Sequence, residues 1–208
     1  MTRRALARIV AIGFLVLSVG CLGGMSGESG MSFAADPVRL DDAAVTESRF
    51  TVTAERTIQF NQSVAVGGEE RTVKLQVGMV QAQQTGNTPV PAHLSVLSVP
   101  EIEVVGQAVS VASRFEPVSV VNRAGSMPGE LTKDRKIEDQ HFRILGENRT
   151  VSVYRGTTSN AGSDASVMIY ETTFDHKTDT LIIVGMVPVG MSDSTASLRT
   201  LLTHIEHP

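Results

Sequence analysis

An α+β domain, with a mostly antiparallel β-sheet and a C-terminal amphipathic helix packed on it, is what the sequence predicts for residues 36–208. Three observations lead there. Runs rich in β-branched and aromatic residues recur between Gly-, Pro- and Asn-containing turns from Arg49 to Val187. Leu198, Leu201, Leu202 and Ile205 then fall at i, i+3, i+4 and i+7, the period of one helix face. The clearest helix thus follows the strands and does not alternate with them, which is the order of an α+β chain.

The first element in chain order is a leader, residues 1–20. Arg3, Arg4 and Arg8 make a basic start without an acid, and Ile9 to Val19 follows as an apolar run broken by Gly13 and Ser18. As a helix that run reaches only about 16 Å, roughly half the hydrocarbon thickness of a bilayer, so a cleaved signal peptide fits better than a span. The alternative is an uncleaved anchor from Ile9 through Met25, which Gly20, Gly23, Gly24 and Ser26 dilute. Cys21, the only cysteine, follows Gly20, and a small residue before a cysteine suits signal cleavage between the two and lipid transfer to sulfur. Leu17-Ser18-Val19-Gly20-Cys21 resembles a lipobox, with Ser18 where a large aliphatic residue is usual. A two-chain lipid on Cys21 suffices to hold a protein on the extracellular face of the cell membrane. Thr2-Arg3-Arg4-Ala5-Leu6 also resembles a twin-arginine export motif through Arg3 and Arg4, with general secretion as the other route. Residues 21–35 then form a lipidated stalk, rich in Gly and Ser, with a reach of about 20 Å.

Asp41 to Ser48 reads as a short helix capped by Asp41 or Asp42, and Arg49 to Phe60 as a strand. Ser63 to Val66, the turn Gly67-Gly68-Glu69-Glu70 and Arg71 to Gln81 form a hairpin, with Val73, Leu75, Val77 and Met79 alternating onto one face. After a polar loop from Gln83 to Pro91, strands are expected at His93 to Val99 and Ile102 to Val111, interrupted at Pro100 and Gly106. Ala112 to Glu130 has no readable period, and a short helix is expected across Leu131 to Asp139. Phe142 to Leu145 and Thr150 to Tyr154 form a hairpin around Gly146-Glu147-Asn148, and Ser166 to Phe174 and Thr180 to Val187 another around Asp175-His176-Lys177-Thr178. Leu181 to Val187 is almost wholly apolar, which places it centrally with both faces covered. Ser192 or Asp193 is the expected cap of the final helix.

Composition narrows function by exclusion. The precursor carries a net charge of −4, and loss of Arg3, Arg4 and Arg8 with the leader makes the mature chain more acidic. No basic run remains, so nucleic acid is not an expected partner. Four lysines stand against fourteen arginines, which suits a salty exterior or reflects coding bias alone. With the only thiol in the lipobox, an exported domain must fold without a disulfide. Tryptophan is absent and aromatics make up 4 %, so a stacking site for sugars or bases is not expected.

Motifs for catalysis and cofactors are missing: the chain has no His-Glu-x-x-His, glycine-rich phosphate loop, Gly-x-Ser-x-Gly elbow or EF-hand loop. The histidines at 93, 141, 176, 204 and 207 are dispersed, and His204 and His207 read as the end of the last helix, not as a zinc site. Met79, Met168 and Met186 read as core filling, not copper ligands. No metal and no cofactor is expected. Asn61-Gln62-Ser63 and Asn148-Arg149-Thr150 match the N-glycosylation acceptor, and both are expected at turns, with Asn61 and Asn148 as the sites.

Four stretches carry a wider resemblance. They are Ser32-Phe33-Ala34-Ala35-Asp36-Pro37 with Asp41-Asp42-Ala43, Leu97-Ser98-Val99-Pro100-Glu101-Ile102-Glu103-Val104-Val105-Gly106-Gln107, Gly146-Glu147-Asn148-Arg149-Thr150-Val151, and the C-terminal helix. In this order they resemble a family of haloarchaeal lipoproteins built on a domain of unknown function. The resemblance implies an archaeal cell-surface location and lipid on Cys21, and it assigns no catalytic residue. The sheet with a terminal helix is also similar to small exported lipoproteins of the PsbP-like kind, many of them assembly or accessory factors. Three functions are therefore expected in descending order. The first is a non-catalytic binding or accessory domain that engages an envelope protein through a sheet face or edge strand. The second is a carrier of a small apolar ligand between sheet and helix, and the third is a hydrolase with a site scattered along the chain.

Overall fold

β-Branched residues alternate with polar ones through most of the chain, and the strands they form are correspondingly long. The structure, a computed structural model, describes residues 31–66, 69–86, 90–104, 107–109, 116–160 and 163–208. The leader with Arg3, Arg4, Gly20 and Cys21, most of the stalk, Gly67-Gly68, Gly106 and residues 110–115 lie outside the described residues. Among the described residues, no helix is long and apolar enough to cross a membrane.

Strand β1 (Ser32–Ala34) lies inside the segment read as stalk, where Phe33 packs against the core. After β2 (Arg39–Leu40), the helix α1 (Asp42–Glu47) begins where expected, because the Asp41 carboxylate accepts the Ala44 N–H at 2.8 Å. The strands β3 (Phe50–Val66) and β4 (Glu69–Gln84) form the expected hairpin, longer than the alternation alone required. They lead to β5 (His93–Pro100) and a small ribbon of β6 (Ile102–Val104) and β7 (Gln107–Val109).

In the stretch without a readable period lies α2 (Pro117–Arg123). Proline suits the first turn, where its missing N–H leaves no bond unmade, and the Glu116 carboxylate caps the helix by accepting the Ser119 N–H at 2.7 Å. Next, β8 (Glu130–Ile144) occupies the segment expected to hold a helix at Leu131 to Asp139. Its run Lys133-Asp134-Arg135-Lys136-Ile137-Glu138-Asp139 is charged like a surface helix. It is instead an edge strand, with register shifts between Lys133 and Arg135 and between Lys136 and Glu138. β8 turns into β9 (Glu147–Asn160) through Leu145 and Gly146, whose φ values of 51° and 82° are the paired positive angles of a tight hairpin turn.

The second expected hairpin is β10 (Ser163–His176) with β11 (Asp179–Pro188). The last helix, α3 (Ser192–Leu202), stops before Ile205, which belongs to β12 (Ile205–Glu206), paired with β2. Its cap is Met191, with no side-chain hydrogen bond, and not Ser192 or Asp193. Asp193 instead sits in the first turn, where its charge meets the positive end of the helix dipole.

The sheet runs β4-β5-β11-β10-β9-β8, with β3 on the outer side of β4. β1 lies parallel to β4 at residues 74–76, on the same side as β5, since β3 takes the other side along its whole length. Every other pairing in this sheet is antiparallel. β11 is central, and its apolar residues from Leu181 to Val187 are at most 1 % exposed. Ile183 and Val187 join Leu198, Leu201 and Leu202 of α3 in one core, while Ile182, Val184 and Met186 join Val118 and Val121 of α2 in a second. A Cβ at Gly185 would stand 2.7 Å from Leu198, so glycine is what lets α3 lie this close. The α+β expectation thus holds in outline, with helices on both faces of the sheet.

Candidate functional site: a groove under the second helix, opposite a buried polar knot

Ser98, Asp179 and His207 converge on the α3 face although they lie on β5, at the start of β11 and beyond β12. The Asp179 carboxylate oxygen Oδ2 accepts three hydrogen bonds: from the Asp36 N–H at 2.7 Å, from the Ser98 hydroxyl at 2.8 Å and from His207 Nε2 at 3.0 Å. His207 Nε2 also stands 2.9 Å from the Ser98 hydroxyl oxygen, and its Nδ1 stands 2.9 Å from Nδ1 of His176. These are the residue types of a hydrolase, in a different arrangement. A catalytic imidazole takes the serine proton on one nitrogen and faces the carboxylate with the other. Here the serine proton goes to Asp179, and the same imidazole nitrogen serves both partners. Ser98 is 0 % exposed and Asp179 1 %, so no substrate reaches them.

The knot holds the N-terminal strap, two central strands and the C-terminus together. His207 is therefore buried beyond β12 and does not form the end of the last helix, which stops at Leu202. One proton serves the facing Nδ1 atoms of His176 and His207, so charging both rings breaks their bond. Burial, and next the charge of His207, hold the pKa of His176 below the usual histidine range. On the other face, His93 donates from Nε2 to the Ser126 carbonyl at 2.9 Å, and burial likewise lowers its pKa.

The α2 face is built differently. Lys133 reaches inward from β8 to both oxygens of Glu171, at 2.8 and 3.0 Å, and also pairs with Glu116, the cap of α2. Its ammonium lies 4.4 Å from the centre of the Tyr154 ring. Burial pushes the Glu171 carboxyl up, with Lys133 opposing. Burial would lower Lys133, but its hydrogen bonds to Glu116 and Glu171 outweigh that and raise it. The Asn122 side chain fastens the other end of α2, donating to the Leu131 carbonyl at 2.8 Å and accepting the Leu131 N–H at 3.0 Å.

Between this fixed helix and the sheet lies a groove of about 190 Å³. Leu75, Val77, Leu97 and Ile182 form its floor, and Phe60 of β3 and Val120 of α2 form its walls. Gln62, Ser119 and Arg123 bring polar groups to it, and no acidic residue lines it. Pockets for small molecules usually measure about 300–1,000 Å³, so this groove suits a single large side chain or a short acyl segment.

The model of a domain of unknown function, DUF6517, matches residues 37–206. The chain belongs to that family. No curated protein and no solved structure matches the chain. The DUF6517 match contains the whole groove and, of the knot, Ser98, His176 and Asp179, while Asp36 and His207 stand immediately outside it.

Of the site residues expected from sequence, two fall on the described part of this DUF6517 domain. Asn61 is exposed but lies within β3, opposite Lys74, and not at a turn. Asn148 is exposed directly after the β8–β9 turn. Among the described residues, no group of three or more His, Cys, Asp or Glu is placed to hold a metal ion. The knot was missed because Ser98 lies 81 residues from Asp179 and 109 from His207, with no local motif. The floor of the groove was legible as strand alternation, but α2 above it was not.

Proposed function

We propose that the protein is a lipid-anchored surface domain, held at the extracellular face of the membrane through Cys21, that binds another envelope protein and does no chemistry of its own. The observation that carries this reading is the groove beneath α2, an apolar floor with a polar rim that opens beside an edge strand of the sheet. The resemblance to haloarchaeal lipoproteins supports the location, and the PsbP-like analogy supports an accessory or assembly role. Export by the twin-arginine or the general route, and a sugar on Asn148, fit the same surface placement, whereas a sugar on Asn61, the other acceptor, would crowd the groove that this residue lines. Cys21→Ser tests the anchor: the variant is expected in the soluble fraction, and a variant still released only by detergent contradicts it.

A second reading is favoured by the same groove, since it lies between sheet and helix as a carrier of a small apolar ligand requires. The volume of about 190 Å³ limits such a ligand to a short acyl segment. Native mass spectrometry of the full-length protein, gently released from membranes, distinguishes the two. A carrier retains a small apolar molecule of defined mass, and a protein-binding domain comes off empty.

A further inference from the structure

The outer side of β3 has no strand partner among the described residues. Across Thr57-Ile58-Gln59-Phe60-Asn61-Gln62-Ser63 it carries no charge, proline or glycine, and its register shift lies earlier, between Val52 and Ala54. Such an edge offers a row of N–H and C=O groups to another strand, with only the Ser63 carbonyl engaged by a side chain, that of Gln62 at 3.2 Å, among the described contacts. Ile58, Phe60 and Gln62 are half-buried, with Ile58 and Phe60 in the core beneath α2, whereas Thr57, Gln59 and Asn61 between them are exposed, Asn61 at the mouth of the groove. A strand added here sets alternate side chains about 5 Å from Phe60 and Gln62, both of which line the groove.

On the reading of the protein as a binding domain, we propose that β3 accepts an extended segment of a partner protein as an additional strand. One large apolar side chain of that segment enters the groove, and an acidic side chain near it pairs with Arg123. The groove has the right size, because a cavity of about 150 Å³ already takes a benzene ring. Charge supplies the chemistry of the partner. Arg123 at the groove and Arg56 on β3 are exposed and have no carboxylate partner among the described residues. A second copy paired through its own Thr57 to Ser63 would bring no acid to meet them, and its β8 edge, which does carry acids beside Ile137, is broken by two register shifts that oppose strand addition. The occupant is therefore a different chain with an apolar anchor and an acidic neighbour, held by main-chain hydrogen bonds.

The test uses the full-length protein in its own membranes, with a photo-activatable side chain at Gln59, at Glu138 on β8 or at Thr200 on α3. Mass spectrometry then maps the cross-linked peptide. The Gln59 probe is expected to capture one discrete segment of another protein that contains a large apolar residue and an acid within a few positions. Both Arg123→Glu and the pair Ser63→Lys with Thr57→Lys, all on exposed side chains, should lower that yield about ten-fold while shifting the melting temperature by no more than about a few degrees. Capture of a specific protein mainly from Glu138 or Thr200 overturns the strand-addition proposal and leaves the binding-domain reading standing. Capture of a second copy from Gln59 also overturns it. No specific capture from any of the three positions contradicts both.

Discussion

β8 and β3 close the sheet at opposite ends, and they treat their free edges in opposite ways. β8 carries six charged residues between Lys133 and Asp139 and two register shifts, whereas β3 from Thr57 to Ser63 carries neither. Charges and bulges stop a strand edge from recruiting another chain. An edge strand without them must be protected otherwise or used. The contrast extends inward: Lys133 on β8 turns into the protein to hold Glu171 and Glu116, while Phe60 on β3 opens onto the groove. One edge is spent on stability, and the other is left available.

The largest expected effect comes from that inward charge. Lys133→Met leaves Glu171, 8 % exposed, without its counter-ion and frees the cap of α2. Urea unfolding should show a loss of about 3 kcal/mol. A loss below about 1 kcal/mol would make Lys133 an ordinary surface charge, no different from its exposed neighbours. Glu171→Gln with Lys133→Met should recover part of the loss, because the uncompensated charge is then gone.

A smaller effect is expected from disarming β8 on its outer side. Arg135→Thr, Lys136→Thr and Asp139→Thr together remove the Lys136–Asp139 ion pair, whose side chains are 45 % and 44 % exposed. The melting temperature should stay within about a few degrees of the parent's, yet light scattering should reveal association that grows with concentration. If the variant stays as monodisperse as the parent, charge is not what keeps this edge apart from others.

Filling the groove should change binding and little else. Val120→Phe is expected to leave the melting temperature within a few degrees and to reduce capture from Gln59. Equal capture would separate the groove from the edge.

The smallest effect concerns the interior that both edges share. His176 has a folded-state pKa below its ordinary value, so the unfolded chain takes up the proton first as pH falls. Its contribution to stability is complete above about pH 6.5 and is lost as pH drops below that toward the folded-state value. His176→Gln should flatten the decline in a denaturation series from neutral to acidic pH. An unchanged slope would assign the decline to His93, whose pKa burial lowers in the same direction.

These contrasts also mark how far the sequence could be read. Val73, Leu75, Val77 and Met79 announced their strand because a sheet buried on one side repeats every second residue. Leu198, Leu201 and Leu202 announced α3 for the corresponding helical reason, and Asp41 announced α1 by its capping side chain. β8 stayed hidden because an exposed edge buries too little to impose a period, and its charges resemble those of a surface helix. β1 was hidden within a Gly- and Ser-rich segment, since three residues held by a neighbouring strand need little preference of their own. α2 was obscured by its proline, which marks a break in most settings and here begins the helix. Ser98, Asp179 and His207 meet only through the sheet register and the C-terminal return, so nothing local connects them. The groove was legible in half, floor without roof.

The central claim is that β3 is the edge left open for a partner. Amide hydrogen exchange of the full-length protein, measured in its native membranes and again after purification in detergent, tests it most directly. Protection in membranes that rises across Thr57–Ser63 and stays constant across Lys133–Asp139 is the predicted result. Equal exchange at β3 in both states, or new protection at β8, would contradict it.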